Sequence, residues 1–415
     1  MEGKFPNSRS VTARDFALVL CFFLFLYPVS VGGISVNYSF LLLPMVVILV
    51  RGKIKKPSTD LLAFIVFYAV IFVIATLYQY RLFEEWPRRA LSFLSFMSVF
   101  SFVFLPIDER MVNAFKIAVV GISVYFSLSS IYQWYLHGGP ALGFEAKDLV
   151  GGQRFGFVYV MAFWILYAGA VWTWGERLLR LLCISTVVAG ILMTFSRASV
   201  VALLASMIFY LARSVRPSFS FSFGRGTKKI AVLVSGVLLI LAAINAFLPV
   251  TFEFFTVRLF EFFLDPEAVQ ENFSNSATSE GTRLFIWASV LEFVASHPFT
   301  GAGYLGVWMI GDASGSAHSQ YFDVLLRVGV IGFMIYVYLL HRASRTLSAS
   351  YPSLYWGFVG VLVYGLFHET FKEAHGGFLL AFLFGILSQN SGSSTVPCAQ
   401  GEFGVSRPLP KRSPV

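Results

Sequence analysis

The sequence predicts an all-α, polytopic integral membrane protein with about 12 transmembrane helices and one long extramembrane loop. Two features of composition support this class: 57% of the 415 residues are apolar and only 13% are charged, whereas about a quarter of a soluble domain is charged. The mean hydropathy of +0.73 agrees with a chain that is solvated largely by lipid. A soluble globular protein is therefore excluded.

Apolar runs of roughly 16 to 25 residues, the length that crosses a bilayer core, recur along the whole chain. They cover residues 16–31, 34–50, 61–80, 90–106, 112–136, 155–174, 178–195, 198–212, 230–249, 319–340, 352–367 and 376–388. Residues 1–249 are accordingly assigned to transmembrane helices 1–9, and residues 318–388 to helices 10–12. Residues 389–415 are rich in Ser, Gly and Pro, and they are predicted to form a disordered cytoplasmic tail.

The distribution of Lys and Arg sets the orientation, because short cytoplasmic loops are enriched in them. With both termini inside, 21 of the 31 basic residues are cytoplasmic, nine are outside, and Arg327 lies within a span. The net charge of +9 thus reflects topology, and no nucleic-acid partner is expected. The first apolar run lacks a cleavage pattern of small residues and is predicted to be a retained anchor.

Residues 250–317 form the long loop on the outer side. Eight acidic residues outnumber two basic ones there. The loop is predicted to contain short helices that are interrupted at Asp265-Pro266, at residues 274–281 and at His297-Pro298.

Arginines on the outer side are candidates for binding a lipid-borne phosphate or diphosphate, since the guanidinium binds phosphate oxygens in a bidentate manner. Arg197 lies in a tight connection between two helices, beside a helix N-terminus that itself favours anions; a snorkelling structural arginine is the alternative. Arg283 precedes Trp287 by one helical turn, with a salt bridge to Glu280 as the alternative. Arg88, Arg89 and Arg154 are secondary candidates, and the first two could instead bind headgroups or neighbouring acids.

Histidine is the natural proton carrier near neutral pH. His318 opens the tenth span at the outer side, and a helix-capping role is the alternative. Glu369 and His375 lie at the next outer turn and are further candidates for a base. Their spacing is not HExxH, because position 372 is Lys, and no cysteine cluster, P-loop or GxSxG motif is present. The sequence therefore predicts no metal and no cofactor.

The Ser196-Arg197 turn, Arg283-x3-Trp287, His297-Pro298-x2-Gly301-x-Gly303 and Ala317-His318-x2-Tyr321 leading to Gly329 together resemble the bacterial O-antigen ligase and O-antigen polymerase superfamily. The resemblance spans roughly residues 185 to 340. The chain departs from the family pattern at Ser319, where Asn is usual, and at Arg327, near which an acid is common.

This resemblance implies a metal-independent, inverting glycosyltransferase at the periplasmic face of a Gram-negative inner membrane. The donor would be an undecaprenyl-diphosphate-linked glycan. Arg197 and Arg283 would hold its diphosphate, while His318 would orient or deprotonate the attacking hydroxyl. Apart from the resemblance, Tyr321, Arg327, Glu369 and His375 are candidates for secondary contacts with the substrate.

The acceptor is left open: another lipid-linked repeat would make the protein a polymerase, and the lipid A core sugar would make it a ligase. Membrane lipids and a chain-length regulator are further expected partners. A transporter or flippase for lipid-linked glycans is the competing function, but its polar residues should line the bilayer midplane. Here most of them lie at the outer edge.

Overall fold

The computed structural model describes residues 12–27, 29–31, 34–36, 59, 61–63, 65–67, 69–70, 100–137, 155–169, 174–194, 196–214, 279–311, 316–370 and 374–390. Nearly all of this part of the chain is helical, which confirms the all-α class. The α-helices are α1 (Ala13–Leu26), α2 (Glu109–Leu136), α3 (Gly156–Tyr167), α4 (Trp174–Met193), α5 (Arg197–Ser214), α6 (Ser279–Ser296), α7 (Gln320–Ser350), α8 (Pro352–Tyr364) and α9 (Ala374–Asn390). There are also two 3-10 helices, η1 (Phe100–Phe104) and η2 (Gly303–Ile310), and residues 59, 61–63, 65–67 and 69–70 are helical.

Local sequence explains where several helices begin. Thr12 and Asp15 form a capping box at the start of α1: each side chain accepts a hydrogen bond from the backbone of the other. The hydrogen bonds from Thr12 also hold the pKa of Asp15 below its ordinary value. Asp108 caps α2 by accepting from Met111 N at 2.9 Å.

One short hairpin departs from the predicted spans. The first span was expected to reach residue 31, but α1 ends at Leu26, and strands Val29–Val31 and Ile34–Val36 pair in antiparallel register. Proline at position 28 disfavours helix at Tyr27. Two glycines between β-branched residues are also a hairpin signal, so the local sequence agrees with the strands.

The main hydrophobic core lies between α1–α5, α7–α9 and η1. Aromatic rings dominate one side of it: Phe25 stacks on Phe378 at 4.8 Å, and Phe115 stacks on Phe382 at 4.1 Å. Helix α3 is buried on nearly every side, in contact with α2, α4, α5 and α8. It therefore forms the centre of the bundle.

A second, smaller core joins α6 and η2 to the first half of α7. Ile286, Val290 and Val294 of α6 pack with Val307 of η2, and with Ala317 and Leu326. This core attaches part of the predicted outer loop directly to the helix that follows it.

Helix α7 is kinked at Gly329, and the turn that follows α6 forms hydrogen bonds with the backbone at this kink. Gly329 has φ 65° and ψ −171°, so the helical bond from Val330 N to Leu326 O is not made. Instead Val330 N donates to Pro298 O at 2.8 Å, and Leu326 O accepts from Ala302 N at 2.6 Å. Both backbone groups released by the kink thus find partners in the loop.

The close approach of these two backbones explains why glycine occurs on both sides of it. Gly301 has φ 61°, and a Cβ there would clash with the carbonyl of Leu326; a Cβ at Gly329 would clash with the carbonyl of Pro298. The turn that contains the His297-Pro298-x2-Gly301 motif and the kink of α7 at Gly329 therefore pack directly against each other.

Several predicted boundaries agree with the structure. The helices α2, α4, α5, α8 and α9 each agree within a few residues with a predicted span, and the predicted break at His297-Pro298 follows the end of α6. Helix α7 begins as predicted but continues to Ser350, beyond the predicted end at residue 340. In the described part of the chain, Glu109–Leu136 and Gln320–Ser350 are long and apolar enough, by length and composition alone, to cross a membrane. The count of about 12 spans, the domain division and the orientation stay predictions, and residues 391–415 of the predicted tail lie outside the described residues.

Candidate functional site

His318 occupies an unusual backbone position just before α7. Its φ of 50° is the one positive value of a non-glycine residue in the described part of the chain, a conformation that costs free energy and concentrates at functional sites. The N-cap of α7 is Ser319, so His318 lies one residue outside the helix and does not cap it. Its backbone N–H donates to Ser316 Oγ at 3.1 Å.

The residue before His318 is held from two sides. Trp287 Nε1 donates to the carbonyl oxygen of Ala317 at 2.9 Å, while the Ala317 N–H donates to the Glu369 carboxylate. Ala317 is fully buried. Trp287 is itself fixed by a parallel stack on Phe322, with ring centroids 4.8 Å apart.

The residues after His318 are docked on the connection between α8 and α9. Gln320 N lies within hydrogen-bond distance of the carbonyl oxygens of Gly365 (2.8 Å) and His368 (3.0 Å). Tyr321 donates its hydroxyl to Leu362 O at 2.8 Å. With Ala317 held as well, the surrounding structure enforces the left-handed conformation of His318.

Arg283 lies on α6, four residues before Trp287, so both side chains project from the same side of the helix. That side faces α7, and Arg283 is half-buried. The predicted pairing of Arg283 and Trp287 on one face is confirmed. Through Trp287, the helix that carries Arg283 contacts the backbone beside His318.

Arg197 is the first residue of α5, after a short turn from α4. Ser196 is the N-cap: its carbonyl accepts from the N–H groups of Ser199 and Val200, and its own N–H donates to Thr194 Oγ1. The predicted place of Arg197 beside a helix N-terminus is thereby confirmed. The N-terminus of a helix carries a partial positive charge, which disfavours a cation in the first turn. The position of Arg197 therefore becomes favourable when an anion binds between the guanidinium and the helix N-terminus.

A chain of contacts places the start of α5 at the same end of the bundle as His318. A Cβ on Gly156 would clash with Ser199 of α5 and would lie 2.7 Å from a ring carbon of Tyr364. The Tyr364 ring stacks on the His368 ring, with centroids 4.7 Å apart. The carbonyl oxygen of His368 in turn lies within hydrogen-bond distance of Gln320 N. The start of α5 is thus linked to the His318 segment through Gly156, Tyr364 and His368, and the Arg283 helix is linked to it through Trp287.

Arg327 is engaged in an ion pair that the sequence analysis did not identify. Its Nε donates to both carboxylate oxygens of Asp323, at 2.8 and 3.0 Å, and the side chains are only 13% and 4% exposed. A Cβ on Gly306 of η2 would lie 2.8 Å from the guanidinium, so η2 covers the pair. The i, i+4 spacing of Asp and Arg was the available signal, and Asp323 supplies an acid one turn before Arg327.

The remaining candidates fall into two groups. Glu369 contacts the His318 segment through the Ala317 N–H, whereas His375 is 1% exposed in the first turn of α9, between the rings of Phe155 and Phe157. Arg88, Arg89 and Arg154 lie outside the described residues. Among the residues that are described, no group of three or more His, Cys, Asp or Glu side chains could hold a metal ion.

Comparison with protein families adds independent support for the motifs. Residues 181–337 match the model of the O-antigen ligase family. This confirms the predicted resemblance to the O-antigen ligase and polymerase superfamily, and the matched region contains Arg197, Arg283, His318, Tyr321 and Arg327. It covers less than half of the chain, and Glu369 lies beyond it. No curated protein is significantly similar to the chain.

The family match has two general consequences. It supports glycan transfer of the O-antigen ligase or polymerase type, and hence a role in polysaccharide or lipopolysaccharide biosynthesis. It also supports an integral membrane protein, in agreement with the two long apolar helices found among the described residues.

Proposed function

We propose that the protein is a glycosyltransferase at the periplasmic face of a bacterial inner membrane. It moves a glycan from undecaprenyl diphosphate to a sugar hydroxyl, and His318 is the catalytic base. The observation that carries this proposal is the position of His318: a strained residue, held by Trp287 on the Arg283 helix and by the connection between α8 and α9. Such positioning is what proton transfer in a transition state requires.

The proposed reaction is a single displacement. The acceptor hydroxyl oxygen attacks the anomeric carbon of the donor sugar, and its proton passes to the imidazole of His318. The bond between the anomeric carbon and the phosphate oxygen breaks, and the lipid diphosphate leaves with the electron pair. Attack on the face opposite the leaving group inverts the anomeric configuration.

Arg197 and Arg283 are proposed to bind the diphosphate. Their guanidinium groups would stabilise the negative charge that grows on the leaving oxygen, and the N-terminus of α5 would add to the field at Arg197. Because a lipid diphosphate is already a good leaving group, positioning and two cations are proposed to suffice without a metal. Arg88, Arg89 and Arg154 stay proposed secondary contacts.

The other candidates are assigned supporting roles. Glu369 holds the Ala317 N–H, and Tyr321 ties the start of α7 to Leu362, so both are proposed to position His318. Arg327 is proposed to act through its ion pair with Asp323, which fixes the first turns of α7 under η2.

The test is transfer by purified protein in detergent, together with donor binding. His318→Ala should lose about 100 to 10,000-fold in rate and keep its affinity for the donor. Arg197→Lys and Arg283→Lys should lose about 10 to 200-fold, because each gives up a charge-assisted, bidentate contact, and their donor binding should weaken. His297→Ala is the matched control, since His297 directly follows the last residue of α6 and its ring stacks on Phe293. Its effect on transfer should be far milder.

The outcomes separate the roles. Transfer by His318→Ala at the wild-type rate would remove it as the base, and loss of donor binding would instead place His318 in the diphosphate site. A flippase would show no transfer in detergent, where there are no two sides to connect. Supplying a lipid-linked repeat or a lipid A core acceptor in parallel reactions distinguishes polymerase from ligase, and addition of a chain-length regulator tests that partner.

A further inference from the structure

The side chains of helix α6 form three arcs around the helix axis: an exposed apolar arc, a buried apolar arc and a polar arc. At about 100° per residue, Leu284, Ala288, Leu291 and Ala295 fall within about 60° of one another, and all four are exposed. Ile286, Val290 and Val294 form the buried arc that packs on α7 and η2. The third arc carries Ser289, Glu292 and Ser296.

The exposed apolar arc is unlike the surface of a helix in an aqueous loop. Leu291 is 53% exposed in the middle of the helix, and Phe285 near the start is 66% exposed. Phe285 lies on the polar side, where an aromatic ring at a membrane–water interface is common. A helix with separate protein, apolar and polar arcs fits a position at the boundary between protein, lipid and water.

The direction of α6 gives its depth relative to α7. Trp287 stacks on Phe322 near the start of α7, and Pro298, just after α6, contacts Val330 at the kink. The two helices therefore run in the same sense, and the turn after α6 reaches a level about 14 Å below the start of α7, at about 1.5 Å per residue.

At this level several apolar side chains of the described residues are exposed. Phe299 in the turn is 67% exposed, and Val330 and Ile331 beside it are exposed as well. The exposed apolar surface continues along α7 to Met334, which is 62% exposed. Because α7 is long and apolar enough to cross a membrane, the apolar surface of α6 and its turn is continuous with the surface that α7 would present to lipid.

The backbone of the turn also meets the requirement for irregular structure inside a bilayer, where polar backbone groups need partners from the protein. Pro298 O accepts from Val330 N, Ala302 N donates to Leu326 O, and Gly301 N donates to His297 O.

We propose that α6 and the turn at Pro298-Phe299 are inserted in the membrane leaflet on the His318 side. Leu284, Ala288, Leu291, Ala295 and Phe299 contact lipid acyl chains, while Glu292 and its serine neighbours face water. The sequence predicts an extramembrane loop over residues 250–317. In our proposal the part of this loop from α6 to the turn at Pro298-Phe299 lies in the bilayer instead.

One consequence rests on the proposed function. Arg283 lies on the protein arc near the start of α6, and therefore at the shallow end of the inserted segment. That is the level at which the diphosphate of a membrane-anchored donor meets the headgroups, so a lipid-linked donor would reach Arg283 without leaving the membrane.

The experiment uses single cysteines in the full chain, with Cys21, Cys183 and Cys398 replaced, labelled with a nitroxide and reconstituted in vesicles of phosphatidylethanolamine and phosphatidylglycerol. Collision of the nitroxide with oxygen, which partitions into lipid, is compared with collision with a water-soluble nickel chelate. Leu291→Cys should favour oxygen several-fold and match Met334→Cys, the lipid control on α7. Glu292→Cys, the adjacent residue, should favour nickel.

Two results would overturn the proposal. If Leu291→Cys favoured nickel like Glu292→Cys, the face would be in water; if both reagents were excluded from it, another part of the chain or a second copy would cover it. Ala288→Cys repeats the measurement on the same arc with a smaller change. No substrate is present in this measurement, so a negative result here does not contradict the proposed transferase. Conversely, transfer by His318→Ala at the wild-type rate would refute the proposed base without affecting the proposed insertion of α6.

Discussion

The hydrogen bond from Trp287 to Ala317 gives a direct test of whether the packing around His318 serves the reaction. Trp287→Phe removes the indole N–H but keeps a ring that stacks on Phe322. The lost bond contributes about 0.5 to 1.5 kcal/mol, and the buried carbonyl of Ala317, left without its donor, costs about 1 to 3 kcal/mol. We therefore expect a clear fall in thermal stability and, because the backbone beside His318 is freed, a fall in kcat.

The matched control is Trp164→Phe in the centre of the bundle. Trp164 Nε1 donates to Ser206 Oγ at 2.8 Å, and both residues are fully buried, so this change removes a bond of the same kind away from His318. Its stability loss should be similar, and its kcat should stay near the wild-type value. A 1.4 kcal/mol loss in the transition state alone would lower kcat about tenfold in Trp287→Phe.

The assay measures the thermal unfolding midpoint of each variant in detergent. It then measures kcat and KM for transfer at a temperature well below all the midpoints, where each variant is folded. A positioning role predicts that kcat falls only in Trp287→Phe, while donor binding is unchanged in both. Equal stability losses with wild-type kcat in both variants would refute the argument that Trp287 positions His318.

Three further changes test other parts of the structure. Gly329→Ala should destabilise the fold by about 2 to 4 kcal/mol, from positive φ and a clash with a backbone carbonyl; Gly121→Ala, at an open helical site, should stabilise it by about 0.5 to 1 kcal/mol, and thermal unfolding compares them. Arg327→Ala should cost about 3 to 5 kcal/mol because Asp323 stays buried and charged, whereas replacing both residues by apolar ones should cost less in the same measurement. His375→Phe should keep the transfer rate within a few-fold of the wild-type value, since a phenyl ring fits between the rings of Phe155 and Phe157. A folded His375→Phe variant without transfer activity would indicate that His375 takes part in the reaction.

Much of the helical structure could be predicted from local sequence, because apolar runs of membrane length have few alternatives to a helix. The end of α6 follows from Pro298, because the residue before a proline disfavours helix. The hairpin after α1 was missed, although Pro28 and the glycine pair at residues 32–33 indicated it. Hydropathy alone does not distinguish a short apolar strand pair from the ends of two helices.

The candidate site was predictable in its residue types and only partly in its geometry. Guanidinium and imidazole groups at one side of a membrane indicate anion binding and proton transfer, so Arg197, Arg283 and His318 could be selected from the sequence. The partners that hold them could not: Trp287 reaches Ala317 across 30 residues, and Glu369 reaches it across 52. Such contacts depend on how helices pack, which local patterns do not encode.

The sequence by itself determined the helical class, the membrane character and the set of charged residues, because these depend on composition and on short-range periodicity. Only the tertiary structure decided that His318 adopts a positive φ, that Asp323 neutralises Arg327, and that the loop at Pro298 completes the kink of α7. Each of these requires backbone or charged groups from distant segments to satisfy one another in a space from which water is excluded. That requirement becomes visible only when the helices are packed together.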